Sequence, residues 1–246
     1  MRILGDYHMH TTYTHGTCSI EDCVRQAENL GLKEIAITEH CYKGFNHIKR
    51  GDLDKIKKEI VALRKKYSVK ILMGIEANLM SREGDIDISD EELEGLDVVV
   101  LGYHMASKYS LREWFKFGLP NLLRKKPTKK QIETNTNAYI QAINKHRVNI
   151  VAHLNYGGCI VDSVAIAKEC VKRNIYIELN GKRINFNKWD IEGMIATGVK
   201  FIINSDAHNV QAVGKNHRAF NLIEKYNIPR EQIANLDKLP KFHKEI

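Results

Sequence analysis

Several features that would assign a chain to a class are missing here. No uncharged stretch approaches the roughly 20 residues a membrane span needs, and the opening Met1-Arg2-Ile3-Leu4-Gly5-Asp6 has no apolar run long enough for a secretory leader. Those two absences predict a soluble, cytoplasmic protein with no membrane partner. Five cysteines, Cys18, Cys23, Cys41, Cys159 and Cys170, are odd in number and form no C-x-x-C. This argues against a disulfide framework or a cysteine zinc knuckle and leaves reduced thiols as the expectation. No composition break, Ser/Gly linker or repeat divides the 246 residues, so one domain over 1–246 is expected, long enough to bury a large core. Acidic side chains are the minority: 30 against 38 basic ones gives +8. That field favours anionic partners, phosphate esters and nucleic acids alike, although a modest lysine excess also serves solubility alone.

What is present is an alternation. Seven short apolar or β-branched runs, 3–8, 34–38, 70–76, 97–103, 149–153, 175–179 and 199–204, are separated by segments of helical period. This is the signature of a parallel α/β sheet or barrel. Ser19 is a candidate N-cap for a helix over Ile20 to Asn29, with Asp22 closing a capping box and Gly31 as the stop. Leu53, Ile56, Ile60 and Leu63 form an i, i+3, i+4 stripe over Asp52 to Lys66. Further helices are expected at 130–146, 162–173, 188–196 and 215–226, with a short one near 230–235.

Imidazoles and carboxylates recur where these strands should stop. His8 and His10 are two apart in an extended segment and so face one side. His40 follows strand two, Glu76 closes strand three, His104 follows strand four, His153 closes strand five, and Asp206 and His208 follow strand seven, with His15 in the first loop. Each position alone has an ordinary explanation, as a loop residue, a core histidine or a paired acid. Together they place seven of the eleven histidines at what a barrel would make one face, where residues distant in sequence converge. Neutral imidazole and carboxylate suit zinc, manganese or iron. Glu76 and Asp206 could bridge cations about 3.5 to 4 Å apart, and a shared water with its pKa drawn toward about 7 would be the nucleophile. His47, His146, His217 and His243 fall outside the pattern.

The stretches Tyr7-His8-Met9-His10-Thr11-Thr12, Ile35-Ala36-Ile37-Thr38-Glu39-His40, Gly74-Ile75-Glu76, Gly102-Tyr103-His104, Ala152-His153 and Asn204-Ser205-Asp206-Ala207-His208 resemble, in order and spacing, the PHP (polymerase and histidinol phosphatase) family of metal-dependent phosphoesterases. The resemblance implies a distorted (β/α)7 TIM-like barrel holding three divalent ions. It would place one on His8, His10, Glu76 and Asp206, a second on Glu76, His104 and His153, and a third on His15, His40 and His208. Many members carry Asp-His where this chain has Glu39-His40. The histidine at position 15 is more like the stand-alone phosphatase branches than the polymerase-attached domains.

The activity so implied is hydrolysis of a phosphate monoester of a small molecule by a metal-bridging hydroxide, with Glu76 and Asp206 as the catalytic carboxylates and either Asp206 or a neighbouring histidine protonating the leaving group. Asn180-Gly181-Lys182-Arg183 follows strand six on the same face. Arg183 is a candidate catalytic and substrate-binding phosphate fork and Asn180 a hydrogen-bonding partner, although a solvated surface turn is the plain alternative. From Lys108 to Lys130, an insertion around 107–130, Trp114, Phe115 and Phe117 are mixed with eight basic side chains and the single acid Glu113. It could be a lid, an extra amphipathic helix packed on the barrel, or a platform for single-stranded nucleic acid. Histidinol-phosphate phosphatase and a single-strand nuclease are the competing activities. A metal-dependent amidohydrolase is disfavoured because His104 stands where a carbamylated lysine would, and a metal-binding regulator without turnover is disfavoured by the complete ligand set.

Overall fold

The computed structural model describes residues 2–44, 46–123 and 126–243. Seven parallel strands, β1 (Gly5–Asp6), β2 (Glu34–His40), β3 (Lys70–Asn78), β4 (Val98–Gly102), β5 (Ile150–Val151), β6 (Tyr176–Asn180) and β7 (Phe201–Asn204), hydrogen-bond in sequence order and curl into a distorted (β/α)7 barrel. The helices of the described residues are α1 (Ile20–Asn29), α2 (Asp52–Leu63), α3 (Asp90–Glu94), α4 (Leu111–Glu113), α5 (Leu119–Leu123), α6 (Lys129–Lys145), α7 (Ser163–Lys172), α8 (Lys188–Thr197) and α9 (His217–Tyr226). Parallel strands covered by helices must be apolar on both faces. Val98-Val99-Val100-Leu101 in β4 shows it, with every residue buried. Among the described residues no helix is long and apolar enough to cross a membrane.

α1 follows from its residues. Ser19 accepts from Asp22 N, the Asp22 side chain accepts from Ser19 N, and Ile20, Cys23, Val24 and Ala27 are buried at helical spacing. Each large member of that stripe contributes about 1.5–3 kcal/mol when fully buried. Gly31, at φ +69°, ends the element in the left-handed region. α2 stops at Leu63, three residues short of Lys66, where the chain turns and the Arg64 side chain donates to Ile71 O.

Period two along the strands separates two environments. Ala36, Leu72, Val98, Val100, Ile150, Ala152 and Ile202 pack together with Tyr7 inside the barrel. Phe242 meets Tyr7 edge-on at 4.9 Å and Tyr176 at 5.9 Å. Further along the same inward-facing positions the side chains become polar: His40, Glu76, Glu178 and Asn204 follow Ala36, Leu72, Tyr176 and Ile202. The apolar floor fixes the depth at which these polar groups stand.

Four strands are shorter than the sequence predicts, β4 and β7 by two residues each and β1 and β5 by more. The run 3–8 yields only Gly5–Asp6, and 149–153 only Ile150–Val151. Along β1 side chains replace ladder partners: Tyr7 N donates to Asn204 Oδ1 and Met9 N to Thr38 Oγ1, each at 3.0 Å. The seam between β7 and β1 is closed by Asn235, which is buried; its Nδ2 donates to Gly5 O (2.8 Å) and Ile203 O (2.6 Å), and its Oδ1 accepts from Ile203 N (3.0 Å). An amide side chain thus does what an eighth strand would do. β5 is ended by His153, whose backbone is left-handed at φ +29°.

α3, capped by Ser89 and Glu92, was not expected from the sequence. Within the 107–130 insertion, α4 runs through a π-helical turn (Trp114–Gly118) into α5. Pro120 supplies no N–H to that turn, and the wide π geometry absorbs the break. Phe117 is buried against Tyr103, while Phe115 is 60% exposed, so the aromatics divide between packing and solvent. Arg124 and Lys125, counted among the basic residues of this insertion, lie outside the described residues.

Candidate metal centre

All nine side chains expected to ligate metal meet at the carboxyl ends of the strands, and Glu76, at the end of β3 and fully buried, is their hub. His153 Nε2 (2.8 Å) and His104 Nε2 (3.3 Å) approach its Oε1. His40 Nδ1 (2.8 Å), His8 Nε2 (3.3 Å) and His10 Nε2 (3.4 Å) approach Oε2. Asp206 stands 3.6 Å from His10 Nε2 and 3.4 Å from His208 Nδ1. His15 stacks on His40 with ring centroids 4.8 Å apart and interplanar angle 7°, and lies 4.2 Å from His208.

Three triplets have ligand atoms within 4.8 Å of one another: His8, His10 and Glu76; His40, Glu76 and His104; His10, His40 and His208. The first falls within the group expected for one ion. The other two divide the histidines differently from the expected sets, because His40 lies between Glu76 and the His15/His208 side.

The polar atoms are poorly matched to one another. His8 Nε2, His10 Nδ1 and Nε2, and Glu76 Oε2 are buried with no hydrogen-bond partner of proper geometry. One such group costs about 1–3 kcal/mol, and buried polar atoms are ordinarily paired. Three of them, His8 Nε2, His10 Nε2 and Glu76 Oε2, converge, with the two ring nitrogens 3.3 and 3.4 Å from the carboxylate oxygen, and fit a set of donors built around a cation. The glycine next to them fits too: a Cβ on Gly102 would sit 2.8 Å from both Glu76 Oε1 and His153 Cε1.

Electrostatics hold most of these groups in ligand form. Burial opposes ionisation of Glu76, but the imidazoles of His104, His8 and His40 hold its carboxyl well below the ordinary range. Asp206 is likewise buried, yet His8 and Lys182 keep it low. Burial, reinforced by His40, pushes His10 well down. Burial also lowers His40 and His208, and together with His208 and Lys182 it brings His15 to about 4. In these four imidazoles burial favours the neutral form, which has a lone pair to give. His8 goes the other way: burial would lower it, but Glu178 and Glu76 outweigh that and raise it.

Glu178, on β6, has no part in the site read from the sequence. Its Oε1 accepts from His8 Nδ1 (2.7 Å) and Asn204 Nδ2 (3.1 Å), and its Oε2 from His153 N (3.0 Å) and Asn180 Nδ2 (2.9 Å). It fixes the ring of one candidate ligand and the backbone of another. Asn78 does the same for His104 Nδ1 at 2.7 Å. The signal for both was a polar residue inside an apolar parallel strand. Glu39, the departure from the family pattern, takes hydrogen bonds from Thr11 and Thr14 and so ties down the loop that carries His15. Two candidate ligands sit on strained backbone, His153 at φ +29° and Asp206 at φ +51°.

A cavity of about 100 Å³ opens beside Glu76, with Lys182, Arg183 and Tyr156 on its far wall. Lys182 Nζ is 3.2 Å from His208 Nδ1 and 3.9 Å from Asp206 Oδ1. The Arg183 guanidinium lies 4.3 Å over the Tyr156 ring and has no carboxylate partner among the described residues. Asn180 is elsewhere. It is buried below the cavity, its Oδ1 accepting from Lys182 N and Arg183 N at 2.9 Å each and its Nδ2 reaching Glu178 and, at 3.3 Å, Asp206. The side-chain amide of Asn180 thus shapes the turn bearing the two cations.

Comparison with known proteins gives the same picture. The PHP domain model matches residues 6–182. A "Probable phosphatase" of Caldanaerobacter subterraneus subsp. tengcongensis is 29% identical over 259 residues, covering 100% of this chain and 92% of that protein. One of Clostridium acetobutylicum is 26% identical over 250 residues, covering 97% and 92%. In fold, the chain is similar to histidinol phosphate phosphatase of Lactococcus lactis, solved with zinc, L-histidinol and phosphate: TM-score 0.60, 15% identity, 99% of this chain and 98% of that one. With the family model spanning most of its length and the family's donor set gathered at one face, the chain belongs to the PHP domain family and is a metal-dependent phosphoesterase.

Proposed function

We propose that the protein hydrolyses phosphate monoesters of small molecules at a centre of three divalent ions, zinc, manganese or iron. The observation that carries this reading is the convergence of seven imidazoles and two carboxylates around Glu76, facing Lys182 and Arg183 across a cavity of phosphoryl size. His8, His10, Glu76 and Asp206 would hold one ion; Glu76, His104 and His153 a second; His15, His40 and His208 a third. Bound divalent cations supply Lewis acidity and acidify a coordinated water toward a pKa of about 7.

The remaining work is done by the chain's own residues. Arg183, its plane held by Tyr156, offers a fork for two non-bridging phosphoryl oxygens. Lys182 adds a point charge near Asp206 and concentrates anions at the cavity. Glu178 holds His8 so that Nε2 faces Glu76, and Asn180 fixes the Lys182-Arg183 turn. Asp206, kept ionised by His8 and Lys182, serves better as a ligand than as the acid that protonates the leaving alcohol.

The test is turnover of a panel of phosphomonoesters by protein loaded with zinc or manganese, before and after chelation. Hydrolysis that disappears with chelator and returns with metal is expected. Absence of turnover for every ester by fully loaded protein overturns the reading.

A further inference from the structure

A second cavity, about 230 Å³, opens from the first and shares His15, His40, His104 and Tyr156 with it. Its remaining walls are Gly44, Met105, Ala106 and Gly157. Met105 is 40% exposed, so its thioether side chain forms part of an open rim. Gly157, at φ +65°, leaves room beside Met105: a Cβ there would lie 3.9 Å from Met105 Cβ and 3.6 Å from the Tyr103 ring. Among the described residues lining this outer cavity there is no carboxylate. The carboxylates of the inner cavity are Glu76 and Asp206, both surrounded by the histidine cluster.

The two cavities divide a phosphomonoester by chemistry. The inner one has cations and metal donors and the size of a phosphoryl group. Beyond the three imidazoles it shares with the inner one, the outer one has a thioether, a methyl, glycine backbone and an aromatic wall. Its volume is below the roughly 300–1,000 Å³ of pockets for drug-sized ligands, so it holds a single ring or a short branched chain. A positively charged leaving group would find no counter-charge among the described residues that line it, and Lys182 and Arg183 of the adjoining inner cavity would repel it.

Resting on the phosphoesterase reading above, we propose that this outer cleft is the leaving-group subsite and that it selects monoesters of compact, uncharged aromatic or aliphatic alcohols over monoesters of amino alcohols. Hydrolysis breaks the P–O bond to that alcohol and forms one to the oxygen of water, and the alcohol leaves carrying a proton from water. Met105 and Tyr156 are then specificity-determining residues of the subsite.

The experiment compares kcat/KM of the metal-loaded protein for benzyl phosphate, ethyl phosphate and O-phosphoethanolamine, three esters of primary alcohols. Benzyl phosphate is expected at least tenfold above ethyl phosphate, and ethyl phosphate at least tenfold above O-phosphoethanolamine. Met105→Glu, a change at an exposed position, is expected to shrink the benzyl-to-phosphoethanolamine ratio at least tenfold. Calorimetry supplies a readout without turnover: the same variant should weaken benzylphosphonate relative to inorganic phosphate at least fivefold. Equal kcat/KM for the three esters, or ratios unmoved by Met105→Glu, overturns the subsite while leaving the phosphoesterase reading intact. No turnover of any of them, nor of other monoesters, overturns both.

Discussion

Replacing Glu178 with glutamine changes one atom in a fully buried side chain, and the structure says why that atom matters. Each carboxylate oxygen accepts two hydrogen bonds: Oε1 from His8 Nδ1 and Asn204 Nδ2, Oε2 from His153 N and Asn180 Nδ2. A glutamine must put its NH2 in one of those places. If it faces His8, the ring has to accept at Nδ1 and carry its proton on Nε2, which removes the lone pair aimed toward Glu76 and the proposed ion. If it faces His153, a backbone N–H and an amide of Asn180 lose their acceptor, at about 1–3 kcal/mol for each buried group. Both orientations cost, and partners of this kind are worth roughly 10- to 100-fold in metal affinity or activity. That corresponds to about 1.4–2.8 kcal/mol. Competition against a chromophoric chelator reads the affinity directly, with circular dichroism confirming the fold. We expect Glu178→Gln to lose at least tenfold for the most tightly held ion, with kcat falling in parallel. Wild-type affinity in a folded Glu178→Gln protein would refute the role given to Glu178.

Other expectations follow from the same geometry. Gly102→Ala places a methyl group 2.8 Å from Glu76 Oε1 and His153 Cε1, so the purified variant should carry less metal than wild type and lose most activity; full loading and turnover would show the centre to be roomier than described. Asn235→Ala leaves the β7–β1 seam without three buried hydrogen bonds and should cost about 3 kcal/mol, lowering Tm by roughly 6–12 °C in a scanning calorimeter. An unchanged Tm would mean that the seam is held by something else. Arg183→Ala should raise KM for phosphomonoesters about tenfold, with Arg183→Lys intermediate because a point charge lacks the bidentate fork, and unchanged kinetic constants in both would remove Arg183 from the site.

Much of the site was legible because parallel strands end together. His8, His40, Glu76, His104, His153 and Asp206 could be placed on one face from strand boundaries alone, and the structure brings them to a common point around Glu76. What escaped lies inside strands or depends on side-chain reach. Glu178, Asn78 and Asn204 look in sequence like interruptions of apolar runs, and only closure of the barrel shows that Glu178 holds His8, Asn78 holds His104 and Asn204 supports Glu178. β1 was overestimated because Tyr7 has strand-like composition, while its N–H is satisfied by the Asn204 side chain instead of a ladder. Asn235 could not have been picked out, since nothing local marks an asparagine that fills a gap between strands 32 and 230 residues away. The Asn180 amide bonds to Glu178, Asp206, Lys182 N and Arg183 N, and a turn-forming amide reads like a substrate-binding one in sequence until those four contacts are seen.

The central claim is that this cluster is a metal centre that performs hydrolysis, and elemental analysis paired with turnover tests it most directly. Protein purified without chelator and dialysed against metal-free buffer should retain divalent metal, approach three equivalents on loading with zinc or manganese, and hydrolyse a phosphomonoester in proportion to metal bound. A folded protein that takes up no divalent metal, or whose hydrolysis is the same with and without it, would contradict the account.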